Sequence, residues 1–196
     1  MIEYDYVVVG TGVSGLSFAL EASKYGRVAV ITKRASENSN TSWAQGGICC
    51  VADDNDSFES HIKDTIDAGA GLCDYDVVKT IVESAPDAID KMVNIGVQFD
   101  KKSNGNYELG KEGGHSQRRV LHSKDTTGKE ISEKLILSAQ SSKNIKIFEH
   151  HFAIDVVTTE KLGISGTNQV AGIYALNEST GEILTFRSDN VILCTG

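Results

Sequence analysis

Tyr6-Val7-Val8-Val9-Gly10-Thr11-Gly12-Val13-Ser14-Gly15 decides the fold: a short apolar run stopped by a glycine that opens a G-x-G-x-x-G pattern. An apolar run without alternation suits a strand buried on both faces, as in a parallel sheet. From Gly15 to Tyr25, Leu16, Ala19, Leu20 and Ser23 recur at helical spacing, and Gly26 ends the helix. Val28 to Thr32 reads as a second buried strand. Strand, helix and strand make one βαβ unit, which should be parallel and right-handed. In such a unit the first glycine permits the tight turn, the second lets a pyrophosphate approach the backbone, and the third allows close packing of strand and helix. Gly10, Thr11, Gly12, Val13, Ser14 and Gly15 are therefore the candidate dinucleotide cradle, with the N–H groups of the helix start aimed at the phosphates.

The kind of dinucleotide turns on the end of the second strand. An NAD dehydrogenase carries an acidic residue there, ~20 residues beyond the glycines, to hold the ribose. Here the position is Thr32, followed by Lys33. Neither can accept two ribose hydrogen bonds as a carboxylate would, so a simple NAD dehydrogenase is disfavoured. Contacts to a ribose through backbone or hydroxyl groups stay open.

From Asp53 to about Gly96 the pattern turns helical. Asp56, with Glu59 three residues on, fits a capping box for a helix that runs to Ala68 before Gly69-Ala70-Gly71 breaks it. Asp74 or Asp76 starts the next helix, with Val77, Val78, Ile81 and Val82 inward. Pro86 is expected to bend that helix or to start a new one after Ser84. Residues 101 to 118 are polar and glycine-rich, the composition of a long functional loop. Thr127 to Gln140 is an amphipathic helix. Strand-like runs follow at Ile145–Phe148, Ala153–Thr159, Val170–Leu176, Glu182–Arg187 and Val191–Cys194. A buried strand running into Thr195-Gly196 is a poor place for a domain to finish, so the chain is expected to be part of a longer protein.

Bulk composition narrows the partners. Hydrophobic residues at 40% and charged residues at 23% are ordinary for a globular protein of 196 residues. A net charge of -8 disfavours nucleic acid or an anionic membrane as a partner. No stretch approaches the ~20 apolar residues of a membrane span. Met1-Ile2-Glu3-Tyr4-Asp5 lacks the basic start and apolar core of a signal peptide, so a cytoplasmic location is expected. Cys49, Cys50, Cys73 and Cys194 show no C-x-x-C spacing and read as reduced thiols. His115 and His122 are not at metal-helix spacing, His150-His151 sits at a strand start, and no metal is assigned.

A second block, Asn40-Thr41-Ser42-Trp43-Ala44-Gln45-Gly46-Gly47-Ile48, resembles the segment beside the flavin in the succinate dehydrogenase, fumarate reductase and L-aspartate oxidase superfamily. Small residues and paired glycines let a backbone lie against a flat ring. A third block resembles the L-aspartate oxidase branch: Glu112-Gly113-Gly114-His115-Ser116, Arg118-Arg119, His122 and Asp125-Thr126-Thr127-Gly128. The dicarboxylate branches share the Asp-x-Thr-Gly portion but typically carry an uncharged residue at the position of Glu112. Aspartate differs from succinate by an α-ammonium, and a carboxylate there would favour the amino acid and repel a bare dicarboxylate. Arg118 and Arg119 suit either a carboxylate or phosphate partner or a purely structural pairing.

The resemblance spans Tyr4 to Gly196 and implies an α/β fold with a Rossmann-like parallel sheet of the FAD/NAD(P)-binding type. Its parts would be a nucleotide unit at 4–33, a flavin-contacting loop at 38–52, a helical insertion at about 53–140 and a small β extension at about 145–196. It implies FAD held non-covalently, because the membrane-complex relatives attach flavin through a histidine where this chain has Asn40. Lys33 joins the cofactor side, Phe152 and Ala153 match where the chain passes the adenine end of FAD, and Leu193-Cys194-Thr195-Gly196 resembles the strand end that closes over it. The implied reaction is hydride transfer from Cα of L-aspartate to the flavin, giving iminoaspartate for NAD synthesis, with oxygen or fumarate as acceptor and quinolinate synthase as a suggested partner. The catalytic arginine and the capping domain of the family lie beyond residue 196, so these residues alone are expected to be inactive. Two rivals stay open: a soluble fumarate reductase, and a non-catalytic dinucleotide-binding module.

Overall fold

Short strands open the chain: β1 (Ile2–Glu3) and β2 (Tyr6–Val9) precede α1 (Val13–Ala22), β3 (Val28–Ile31), α2 (Asn40–Trp43) and β4 (Ile48–Cys49). Two helices follow, α3 (Phe58–Ala68) and α4 (Tyr75–Asn94), then β5 (Val120–Leu121) and α5 (Thr127–Ser141). The last five strands are β6 (Ile145–Phe148), β7 (His151–Thr158), β8 (Val170–Asn177), β9 (Ile183–Arg187) and β10 (Val191–Leu193). The computed structural model describes all residues 1–196 and divides into two units, Met1–Ser42 with Ser132–Gly196, and Trp43–Ile131.

In the first unit, β10-β2-β3-β6 form an all-parallel sheet, with Val7 beside Ala29 and Val191, and Val9 beside Ile31 and Leu193. Its central strands are buried on both faces, which explains why the sequence shows continuous apolar runs and no alternation. α1 lies along β2 and β3 and buries Leu16 and Ala19 completely. Val7, Val9, Ala29 and Ile31 form a core with Ile173, Ala175 and Phe186 from a second sheet, β1-β9-β8-β7. That second sheet is antiparallel except where β1 joins β9 in parallel. β1 has no expectation in the sequence: two residues carry no periodicity to read.

In the second unit, α3 and α4 pack through Ile62, Val78 and Val82, with Phe58, Ile66 and Cys73 at the edge. β4 and β5 pair as a two-stranded antiparallel ribbon, Ile48 opposite Leu121 and Cys49 opposite Val120. Three local expectations need correction. The cap of α3 is Ser57, whose side chain accepts the Ser60 N–H at 3.1 Å; Asp56 is engaged by Arg119 instead. Pro86 sits inside a continuous α4, where one lost N–H is outweighed by the Asp74 cap, which accepts from Asp76 and Val77, and by burial of Val78, Val82 and Ile89. Val77 and Ile81 are mostly exposed, because the buried stripe of α4 is narrower than the apolar one.

Candidate functional site

Two of the three motif glycines are required by the chain itself. Gly10 has φ +118°, and a Cβ on it would lie 2.1 Å from the Cys194 carbonyl oxygen. A Cβ on Gly15 would lie 2.1 Å from the Gly10 carbonyl oxygen. These contacts lock the turn between β2 and α1 against β10. Gly12 differs. Its backbone is extended (φ −70°, ψ 176°), open to any residue, and a Cβ would meet only Thr41 Oγ1 at 3.4 Å. Nothing inside the fold demands a glycine there, and without a side chain the turn stays open to close approach from outside.

The start of α1 is equipped accordingly. Thr41 Oγ1 accepts the Val13 N–H at 3.0 Å, while the Ser14 and Gly15 N–H groups find no acceptor within the chain. Free N–H groups on a helix of this length leave a partial positive charge facing outward. Thr11 and Thr32 are both buried and joined through their hydroxyls at 3.3 Å, so Thr32 is spent inside the protein. Lys33 is exposed. Asn40 opens α2, and Ser42 Oγ donates to the Glu37 carbonyl and is hydrogen-bonded to the Ser132 hydroxyl. Phe152 and Ala153 lie in β7, an outer strand of its sheet; Phe152 is about half exposed and Ala153 packs on the core. Thr41 as a helix-capping partner was not visible in the sequence, since the contact spans 28 residues.

In the second unit, Trp43, Ala44, Gln45 and Gly46 form an exposed run, Trp43 at 70%. It is pinned at both ends: Ala44 O accepts the Gly128 N–H at 3.0 Å, and a Cβ on Gly47 would lie 2.2 Å from Leu121 O. Glycine at 47 therefore serves the close approach of this segment to β5. Gly46 is not held to glycine by the fold in this way. A Cβ there would meet one atom only, Glu112 Oε1 at 3.7 Å. The carboxylate read from one motif thus stands beside the glycine pair read from another, 66 positions away in the sequence.

The loop bearing Glu112 is tied down. Ser116 donates its N–H and hydroxyl to Asp64 Oδ2 at 2.7 and 2.8 Å, and the His115 N–H reaches the Glu112 carbonyl at 3.3 Å. Arg119 is fully buried and donates to Asp56, Asp64 and Ser60. Burial opposes ionisation of Asp64, but the Ser116 hydrogen bonds and the Arg119 guanidinium outweigh it and hold the carboxyl at about 2. Of the two roles open to this arginine, the structure assigns the structural one. Arg118 is exposed and reaches only the Leu109 carbonyl, at 3.4 Å.

Comparison with known proteins agrees with this geometry. The family model described as an FAD binding domain matches residues 5–196. An L-aspartate oxidase of Nicotiana tabacum, named chloroplastic, is 43% identical over 98% of this chain and 30% of its own length. The L-aspartate oxidase of Yersinia pestis is 40% identical over 98% of this chain and 37% of its own. Among solved structures, Escherichia coli quinol fumarate reductase superposes with a TM-score of 0.90 at 29% identity, covering all of this chain and 33% of that one. A Mycobacterium smegmatis Sdh1 complex superposes equally well at 26% identity. The chain spans about a third of the length of the curated relatives it matches. No helix is long and apolar enough to cross a membrane. The parallel sheet, the glycine turn that leaves room at Gly12 and the match over nearly the whole length agree: this chain belongs to the FAD-binding-domain family, and its cofactor is FAD.

Proposed function

We propose that these residues are the N-terminal, FAD-binding part of an L-aspartate oxidase, which oxidises L-aspartate to iminoaspartate with oxygen or fumarate as acceptor. The observation that carries the reading is the Glu112 carboxylate beside Gly46. Gly10 to Gly15 and the start of α1 would hold the pyrophosphate, with Lys33, Phe152 and Ala153 on the nucleotide side and Asn40 to Gly47 beside the ring. Asn40 offers no nucleophile for a covalent link, so the cofactor is bound non-covalently. FAD, when bound, supplies the two-electron acceptor for oxidation at the substrate Cα. Glu112 then attracts the α-ammonium, orients Cα, and disfavours a dicarboxylate that lacks the positive charge.

A dicarboxylate oxidoreductase is the second reading, favoured by the likeness to fumarate reductase at a TM-score of 0.90. Against it stand the higher identity to L-aspartate oxidases, 40–43% against 29%, and the charge of Glu112. Iminoaspartate would pass to quinolinate synthesis, which makes a quinolinate synthase the natural partner. Four free thiols suit a reducing compartment such as the cytoplasm. Anaerobic bleaching of the flavin in the full-length protein tests the proposal. Bleaching by L-aspartate supports it; bleaching by succinate alone selects the second reading.

A further inference from the structure

Cys49, His61 and His115 converge from three elements, β4, the first turn of α3 and the loop before β5. Cys49 Sγ lies 3.2 Å from His115 Nε2, and the three ligand-type atoms all fall within 4.8 Å of one another. The two imidazoles meet edge to face with centroids 5.8 Å apart. His61 is 6% exposed, and its Nδ1, like that of His115, is buried without a hydrogen-bond partner. An unpaired buried Nδ1 on His61 calls for an explanation, while on His115 it is the other nitrogen, Nε2, that faces the thiol; a neutral imidazole nitrogen is the commonest protein ligand for a metal.

We propose that Cys49, His61 and His115 form a binding site for a divalent transition cation of the zinc type. One thiolate and two imidazoles match zinc better than magnesium or calcium, which take oxygen ligands. Tetrahedral zinc, with Zn–N near 2.0–2.1 Å and Zn–S near 2.3 Å, sets its ligand atoms roughly 3.3–3.6 Å apart. Cys49 Sγ and His115 Nε2, 3.2 Å apart, are already near that spacing, and the ion would draw the His61 ring in by side-chain rotation. The thiol proton passes to solvent as the metal–sulfur bond forms, and the fourth position falls to water. The carboxylates of Glu112 on the Cys49 side, and of Asp56 and Asp64 on the His61 side, offset the positive charge of Arg119. The ion would cross-link β4, α3 and the loop that carries Glu112, whatever substrate that loop serves. Sequence spacing did not expose the set, because Cys49 precedes His61 by 12 residues and His115 follows by 54.

The test adds Co2+ alone to the full-length protein after chelator treatment and reads near-ultraviolet absorption. The expected result is one equivalent bound with a thiolate-to-cobalt charge-transfer band that Zn2+ abolishes by displacement. Cys49→Ser should remove the band, and His115→Asn should weaken binding at least tenfold, both with unchanged circular dichroism. Both substitutions fall on half-buried residues and spare the buried His61. No cobalt binding, or binding unchanged in Cys49→Ser, overturns the proposal.

Discussion

Arg119 grips both carboxylate oxygens of Asp56, Nη2 at 2.7 Å from Oδ1 and Nε at 2.8 Å from Oδ2, and both side chains are almost wholly out of solvent. A third bond, Nη1 to Asp64 Oδ2 at 2.7 Å, joins β5's entry to α3. Removing one partner of such a network strands a buried charge, at a cost of about 3–5 kcal/mol. Arg119→Met should therefore lower the urea unfolding midpoint by that measure. Arg119→Lys should recover part of it, since one ammonium cannot reproduce the fork. A variant of normal stability with impaired substrate binding would instead return Arg119 to the substrate.

Acid should attack the same network. Asp64 is held at about 2, below its ordinary 3.8, so its stabilising effect is complete above pH 3.8 and is lost as pH falls through about 2. The fold is expected to lose stability between about pH 4 and pH 2 more steeply than Asp64→Asn does. Urea titrations of both proteins across that window check the slope. Parallel slopes would mean that Asp64 is not the group being protonated.

The glycines of the cradle should separate by role. Gly15→Ala places a methyl 2.1 Å from a backbone oxygen and should destabilise the fold by about 1–3 kcal/mol or more. Gly12→Ala has an allowed backbone and one soft neighbour, so its unfolding midpoint should stay within about 0.5 kcal/mol of the parent. Its FAD affinity should nevertheless drop at least tenfold, read by fluorescence on titration with FAD. Gly113→Ala, with nothing within 4 Å, serves as the silent control.

The contrast among these glycines also marks how far the sequence could be read. Local patterns sufficed for β2, α1 and β3, for the end of α3 at Ala68 and for the Asp74 cap, because each is settled by residues within a turn or two. Reading failed where a distant partner decides. Asp56 has the right spacing for a cap, yet Arg119, 63 residues on, holds its carboxylate and leaves Ser57 to cap the helix. Val77 and Ile81 have the periodicity of a core face, but what covers a helix is not written in its own period. For the site, the motifs supplied Gly46 and Glu112 separately, and only the fold put them side by side.

That pairing gives the most discriminating experiment. Glu112 is exposed on its loop, so its carboxylate is well solvated and Glu112→Gln should leave stability unchanged. An ammonium near a carboxylate in a partly screened site gains on the order of 1–3 kcal/mol, or roughly tenfold to a hundredfold in affinity. The KM for L-aspartate in the full-length protein should rise by that factor, while fumarate, which carries no ammonium, should react as well as before or better. Equal losses with both substrates would show that position 112 supports the loop and does not choose the substrate. An unchanged KM for L-aspartate would remove Glu112 from the site altogether, and with it the main structural argument for the amino-acid branch.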